Sequence, residues 1–221
     1  MKRCFLAAAW LVWAGVSLDA AEQVIFKDEF KGKLAEGWSW VREDRQAWRV
    51  SEEGLAVRVQ PGSLWGGAND AKNLLVRPAP DPAGGEVAAA VTVTNQPSRQ
   101  YEQVGIAWYY DDSHMVKLVK EQVDNKTWVV MGREQADRAT LAGKVALDTA
   151  TVRLRLLVSG SQIRGQFRPD GSTEWLEAGA CELPAPPPQA QAKVCLHCYQ
   201  GPPDVEHWAR FTEFSIVRTG K

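Results

Sequence analysis

The segment Tyr101–Glu121, YEQVGIAWYYDDSHMVKLVKE, constrains the fold more than any other stretch of the chain. Apolar and polar residues alternate on both sides of Asp111-Asp112-Ser113-His114, with the two-residue period of a half-buried strand. Asp and Ser side chains bond their own backbone in tight turns, so these four residues read as the loop of a β-hairpin. With that loop, Trp108 faces Lys117 and Val104 faces Glu121 across the ladder. An indole, an ammonium and a carboxylate then share one face. The arrangement suits a polar ligand and is equally compatible with an ordinary solvated face.

The remaining sequence continues as short strands broken by turns, with no long amphipathic helix. Val24-Ile25-Phe26 opens the series, and Trp48-Arg49-Val50 and Leu55–Val59 flank a turn at Glu53-Gly54. Val87–Thr94 and Val152–Val158 alternate apolar with small or polar residues, as antiparallel strands buried on one face do. Gln162–Arg168 turns at Asp170-Gly171 and returns through Trp175. The proline-rich runs Pro78–Pro82 and Pro184–Pro188 cannot hold central strands and are expected as surface connections. There is no internal repeat and no βαβ alternation. The expected architecture is all-β, a two-sheet antiparallel sandwich or jelly roll. A chain of 221 residues can bury a continuous core in one such unit.

Residues 1–20 read as a signal peptide: Lys2-Arg3, an apolar run from Phe5 to Trp13, then small residues at Ala20-Ala21. The run is too short to span a bilayer, so residues 21–221 are expected as one domain, secreted or periplasmic, with no membrane span. Cys4 precedes the apolar run and cannot be a lipid-attachment cysteine. The formal net charge of −1 gives no electrostatic reason to expect nucleic acid or an anionic membrane as a partner.

Several pieces carry a family resemblance. The glycine-apolar run, double-Asp turn and apolar strand with Lys117 and Glu121 resemble the concanavalin A-like β-sandwich domain found at the C-terminus of β-xylosidase-type glycosidases. The same domain occurs alone in secreted proteins of unassigned role. Asn73–Pro78 is similar to that family's segment before the first core strand, Arg168–Trp175 to its S-x-D-G-x-x-W hairpin, and Phe211–Ile216 to its closing strand. The resemblance spans roughly the whole mature chain. It implies a concanavalin A-like jelly roll with a carbohydrate-related role. Tyr109-Tyr110 before the turn and the cysteine pair near the end depart from the pattern and leave the ligand open.

Saccharide-binding surfaces use flat aromatic rings, because the apolar faces of pyranose rings stack on them while hydroxyls bond nearby polar groups. Trp48 and Trp175 lie inside alternating strands and are expected in the core. Trp65 lies in the glycine-containing loop Ser63–Asp70, where a large ring is hard to bury. The expected ligand surface combines Trp65, Asp70 and Asn73 from the loop region with Trp108, Lys117, Glu121 and Trp128 from the sheet. The expected partner is an oligo- or polysaccharide.

Hydrolases built on such sandwiches set Glu-x-Asp-x-Glu along one strand so that acid and nucleophile point the same way. No such run exists here, and His114, His197 and His207 have no nucleophile motif beside them. No catalytic residue is assigned. Export would favour one disulfide, Cys181 with Cys195 or Cys198, leaving one thiol. Cys195-Leu196-His197-Cys198 is too short of ligands for structural zinc. No cofactor is expected. Asp28 is the candidate for a calcium ligand, though one carboxylate is far short of the six to eight oxygens calcium takes. The favoured function is a secreted, non-catalytic module that binds carbohydrate or accompanies carbohydrate-processing enzymes. Two alternatives stay open: a glycosidase or lyase with an unrecognised site, and a protein-interaction module without a small ligand.

Overall fold

The computed structural model describes residues 22–219, so the expected signal peptide lies outside the described residues. In chain order the strands are β1 (Gln23–Asp28), β2 (Ser39–Val41), β3 (Trp48–Ser51), β4 (Gly54–Arg58), β5 (Leu64–Trp65), β6 (Ala68–Asn69), β7 (Leu74–Pro78), β8 (Glu86–Thr94) and β9 (Gln103–Asp111). They continue with β10 (His114–Val123), β11 (Lys126–Gln135), β12 (Arg138–Ala146), β13 (Thr151–Ser159), β14 (Gln162–Pro169), β15 (Leu176–Glu182), β16 (Lys193–Tyr199) and β17 (Trp208–Thr219). One sheet runs β15-β14-β13-β8-β17-β4-β3, with β1 also paired to β17; the other runs β12-β11-β10-β9-β16-β7-β2. All pairings within these two sheets are antiparallel. No helix among the described residues is long and apolar enough to cross a membrane.

The alternating strands explain the sandwich. Val87, Ala89, Val91 and Val93 of β8 and Val152, Leu154, Leu156 and Val158 of β13 all point inward and are buried. They meet Val104, Ile106 and Trp108 of β9 and Val116 and Leu118 of β10 from the opposite sheet. Trp48 packs at the rim of this core, 4.8 Å from Trp40. Trp175 corrects the expectation made for it: it lies outside the core, half-buried under the Arg155 guanidinium 3.8 Å from its ring.

The central hairpin turns where the sequence places it. Asp111 Oδ1 accepts the Ser113 N–H at 2.9 Å, and Asp112 takes a double hydrogen bond from Arg42 at 2.6 and 3.0 Å. His114 pairs with Asp111, in the expected register. A bulge follows at once, because Met115 pairs with Tyr109 and leaves Tyr110 as the extra residue. The expected pairing of Trp108 with Lys117 is therefore wrong by one: Trp108 faces Val116, Lys117 faces Ala107, and Glu121 faces Gln103. A one-residue slip moves a side chain to the other face of the sheet, so Trp108 joins the core, 1% exposed.

The cysteines also differ from expectation. Cys181, Cys195 and Cys198 are all free thiols. Cys195 and Cys198 are an odd number of residues apart on one strand, so they point to opposite faces. Cys198 enters the main core, Cys195 enters a smaller outer one, and Cys181 lies in the other sheet. Among the described residues no three His, Cys, Asp or Glu side chains gather as a metal site. Both oxygens of Asp28 accept N–H groups, from Phe30, Ala35 and the Trp38 indole at 2.8–2.9 Å. That donor set closes a loop and does not fit calcium.

Candidate functional site

Part of the outer face of the seven-stranded sheet is covered. Residues 60–73 fold across it, and Leu64, Ala71 and Leu74 bury Ala107, Tyr109, Met115 and Cys195 in the smaller core. The tip of this flap is the β5–β6 hairpin. Asp70 Oδ1 accepts the Ser63 N–H at 2.8 Å and closes the hairpin's base. Gly66 N donates to Glu134 Oε1 at 3.0 Å and pins its tip to β11.

The flap sets Trp65 on β11 at Gly132. A Cβ at Gly132 would stand 2.7 Å from the indole, so only glycine lets the ring lie there. Directly across the ladder from Gly132 is Lys117. Its ammonium lies 4.1 Å from the Trp65 ring centroid and donates to Gln103 Oε1 at 2.8 Å and to the Tyr199 hydroxyl at 3.1 Å. Ammonium over an indole face is a favourable pairing, more so where water is excluded. The other end of the Gln103 amide donates to Glu121 Oε1 at 3.1 Å. Gln103 thus relays between a buried cation and a buried carboxylate.

Burial dominates the ionisation of these groups. It pulls the Lys117 amine down to about 8, with Glu121 and Glu134 opposing. It pushes the Glu121 and Glu134 carboxyls up, with Lys117 opposing in both and the backbone N–H groups of Gly66 and Gly67 also opposing at Glu134. The Tyr199 hydroxyl is held well above its ordinary range. His197, stacked on Tyr199 with ring centroids 5.4 Å apart, is brought down to about 3 by burial and by Lys117. Its imidazole is neutral, and neither ring nitrogen has a partner.

Beside the flap a cleft of about 520 Å³ opens over these groups. Trp65, Tyr101, Val130 and Leu141 form apolar walls, and Gln103, Lys117, Glu121 and Lys144 supply polar groups. Tyr101 and Leu141 are the exposed rim, 52% and 61% accessible. Such a cleft can stack a ring-shaped ligand and bond its hydroxyls. Glu121 is the one carboxylate among the described residues that lines it. Glu134 stands opposite Met115, six residues along β10 from Glu121. Glycoside hydrolysis ordinarily uses two carboxyl groups flanking the bond, and Glu134 is turned to the flap, where it accepts from Gly66 N.

Of the seven residues expected from sequence, Trp65, Lys117 and Glu121 line this cleft. Trp128 faces Glu121 across the ladder, with Lys144 over its ring at 4.3 Å. The other three lie elsewhere. Trp108 is in the core. Asp70 closes the flap. Asn73 is buried, accepting from Asp44 N at 2.7 Å and donating to Gln60 at 3.2 Å. Gln103, Tyr199, Tyr101 and Lys144 were missed. Tyr199 follows the cysteine pair in a segment with no periodic signal, and Gln103 reaches the site only through the shifted register.

A two-sheet jelly roll with a polar, aromatic-walled cleft on one outer face is the class these features define. The family described as the β-xylosidase C-terminal concanavalin A-like domain matches residues 27–215, and the chain belongs to it. Among solved structures it is similar to the GH43 protein BlXynB of Bacillus licheniformis, with TM-score 0.77 and 19% identity, covering 87% of this chain and 39% of that one. Likeness to the xylan β-1,4-xylosidase of Bacillus halodurans has TM-score 0.74 and 17% identity over 86% of this chain and 38% of that one. A functionally unknown protein from Saccharomyces cerevisiae matches with TM-score 0.64 and 16% identity, over 84% of this chain and 98% of its own. The chain therefore spans about two fifths of the two bacterial proteins, and at these identities the likeness concerns the fold. No curated protein matches the chain.

Proposed function

We propose that the chain is an exported, non-catalytic module that binds saccharide in the cleft beside Trp65. The observation that carries this reading is the row Lys117, Gln103 and Glu121 on the floor of an open cleft whose walls include Trp65 and Tyr101. Charged and amide groups at the floor of a cleft bond sugar hydroxyls, and the rings offer stacking surface. The membership in a xylosidase-associated family supports a carbohydrate partner, and the single carboxylate, Glu121, among the residues lining the cleft supports a role without hydrolysis.

A panel of xylo-, arabino- and gluco-oligosaccharides, read by tryptophan emission and by release of reducing ends, tests the proposal. Saturable change in emission with the sugar left intact is the expected result. Release of reducing ends would assign an enzyme. A flat response to every glycan would leave the cleft without a saccharide role and favour a protein-interaction module.

A further inference from the structure

A second cleft, of about 640 Å³, opens at the end of the sandwich where β8 runs out and β13 begins. Lys120 and Asn95 both line it, and Lys126 and Asp148 stand on its walls. Lys120 projects from the core side of β10, in line with Val116 and Leu118, and is 1% exposed. Its ammonium donates to the main-chain carbonyls of Asn95 at 2.5 Å and Ala150 at 2.6 Å. An ammonium has three N–H donors, so one is left over. Among the described residues no carboxylate is paired with it. Beside it Asn95 is 4% exposed, and neither its NH2 group nor its side-chain oxygen has a partner.

A buried charge without a counter-charge and a buried amide without an acceptor are each unfavourable. One kind of group answers both: an anion offering two oxygens side by side. We propose that this cleft binds a carboxylate, one oxygen accepting the spare Lys120 N–H and the other the Asn95 amide. Lys126 adds a second positive charge on the walls against the single carboxylate of Asp148. The carboxylate is carried by a uronic-acid residue of a saccharide or by a small organic acid. This site is separate from the cleft beside Trp65, and its test does not depend on what that cleft binds.

The experiment is a titration of the ¹⁵N-labelled protein with sodium glucuronate, sodium acetate and glucose at constant ionic strength, following the Asn95 side-chain amide. A saturable shift with glucuronate and none with glucose is expected. An acetate response of equal affinity assigns the small organic acid as the source, and glucuronate tighter by about tenfold or more assigns the saccharide. Asn95→Ala removes a side chain that bonds nothing within the protein, so the fold should be kept while glucuronate affinity, followed at backbone amides of the cleft, falls about tenfold or more. Lys120→Met should do the same. No saturable shift with either carboxylate, an equal shift with glucose, or undiminished affinity in folded Asn95→Ala would overturn the proposal.

Discussion

Lys117 holds an amine in a place almost without water, among an amide oxygen, a phenol and the face of an indole. Its downward shift has a consequence for stability. The folded amine titrates near 8 and the unfolded one near its ordinary 10.5, so between those values the unfolded chain binds more protons. Stability contributed by this group therefore rises as pH climbs from about 8 to 10.5. Thermal unfolding of the parent and of Lys117→Met should be compared over that window. The parent is expected to gain on the variant as pH rises, and parallel curves would mean that Lys117 is not desolvated as described. Gly132 is the second residue with a sharp expectation. Gly132→Ala drives a methyl into the Trp65 ring, so tryptophan emission should change and saccharide affinity fall by about tenfold, with the fold retained. An unchanged emission spectrum would show the ring to be free of that contact.

Two elements shape the site, a flap across the sheet and a bulge in β9. The flap of residues 60–73 carries Trp65 over the sheet only because Asp70 and Glu134 hold its base and tip. Asp70→Ala should lower stability by about 1 kcal/mol and weaken binding at the cleft, while substitution of Tyr101 should weaken binding alone. Equal binding by parent and Asp70→Ala would show that the flap does not position the ligand surface. The bulge at Tyr110 selects which residues of β9 reach the outer face, trading Trp108 for Gln103. On β16 the alternation of faces separates Cys195 from Cys198. In native protein, alkylation should modify half-buried Cys181 first, with Cys195 and Cys198 reacting only on unfolding; burial also pushes both of those thiols up, away from the reactive thiolate. Early labelling of either would contradict this placement.

The two sheets share one core, so the molecule should unfold as a unit. Leu156 is fully buried between the sheets. Leu156→Ala is expected to cost about 2–5 kcal/mol, with circular dichroism and tryptophan fluorescence reporting a single coincident transition in denaturant. Two separated transitions would mean that the sheets are held independently.

At this scale the period of the chain was sufficient for much of the architecture. Alternation in β8 and β13, the double-Asp turn and the Asp170-Gly171 turn each state locally which side of a strand is apolar and where it reverses. The all-β class and the inward faces of β8 and β13 follow from that alone. Trp65, Lys117 and Glu121 were legible for the same reason, as a ring in a glycine loop and two polar residues on one side of an alternating strand. The tertiary structure alone decided who their neighbours are. A bulge changes register without changing composition, and Asp70 and Asn73 look like ligand donors until the flap and the loop before β7 use their oxygens. Thiols close in sequence point apart on a strand. Lys117, Gln103, Tyr199 and Trp65 come from four separate elements, and their meeting depends on long-range pairing that no local pattern records.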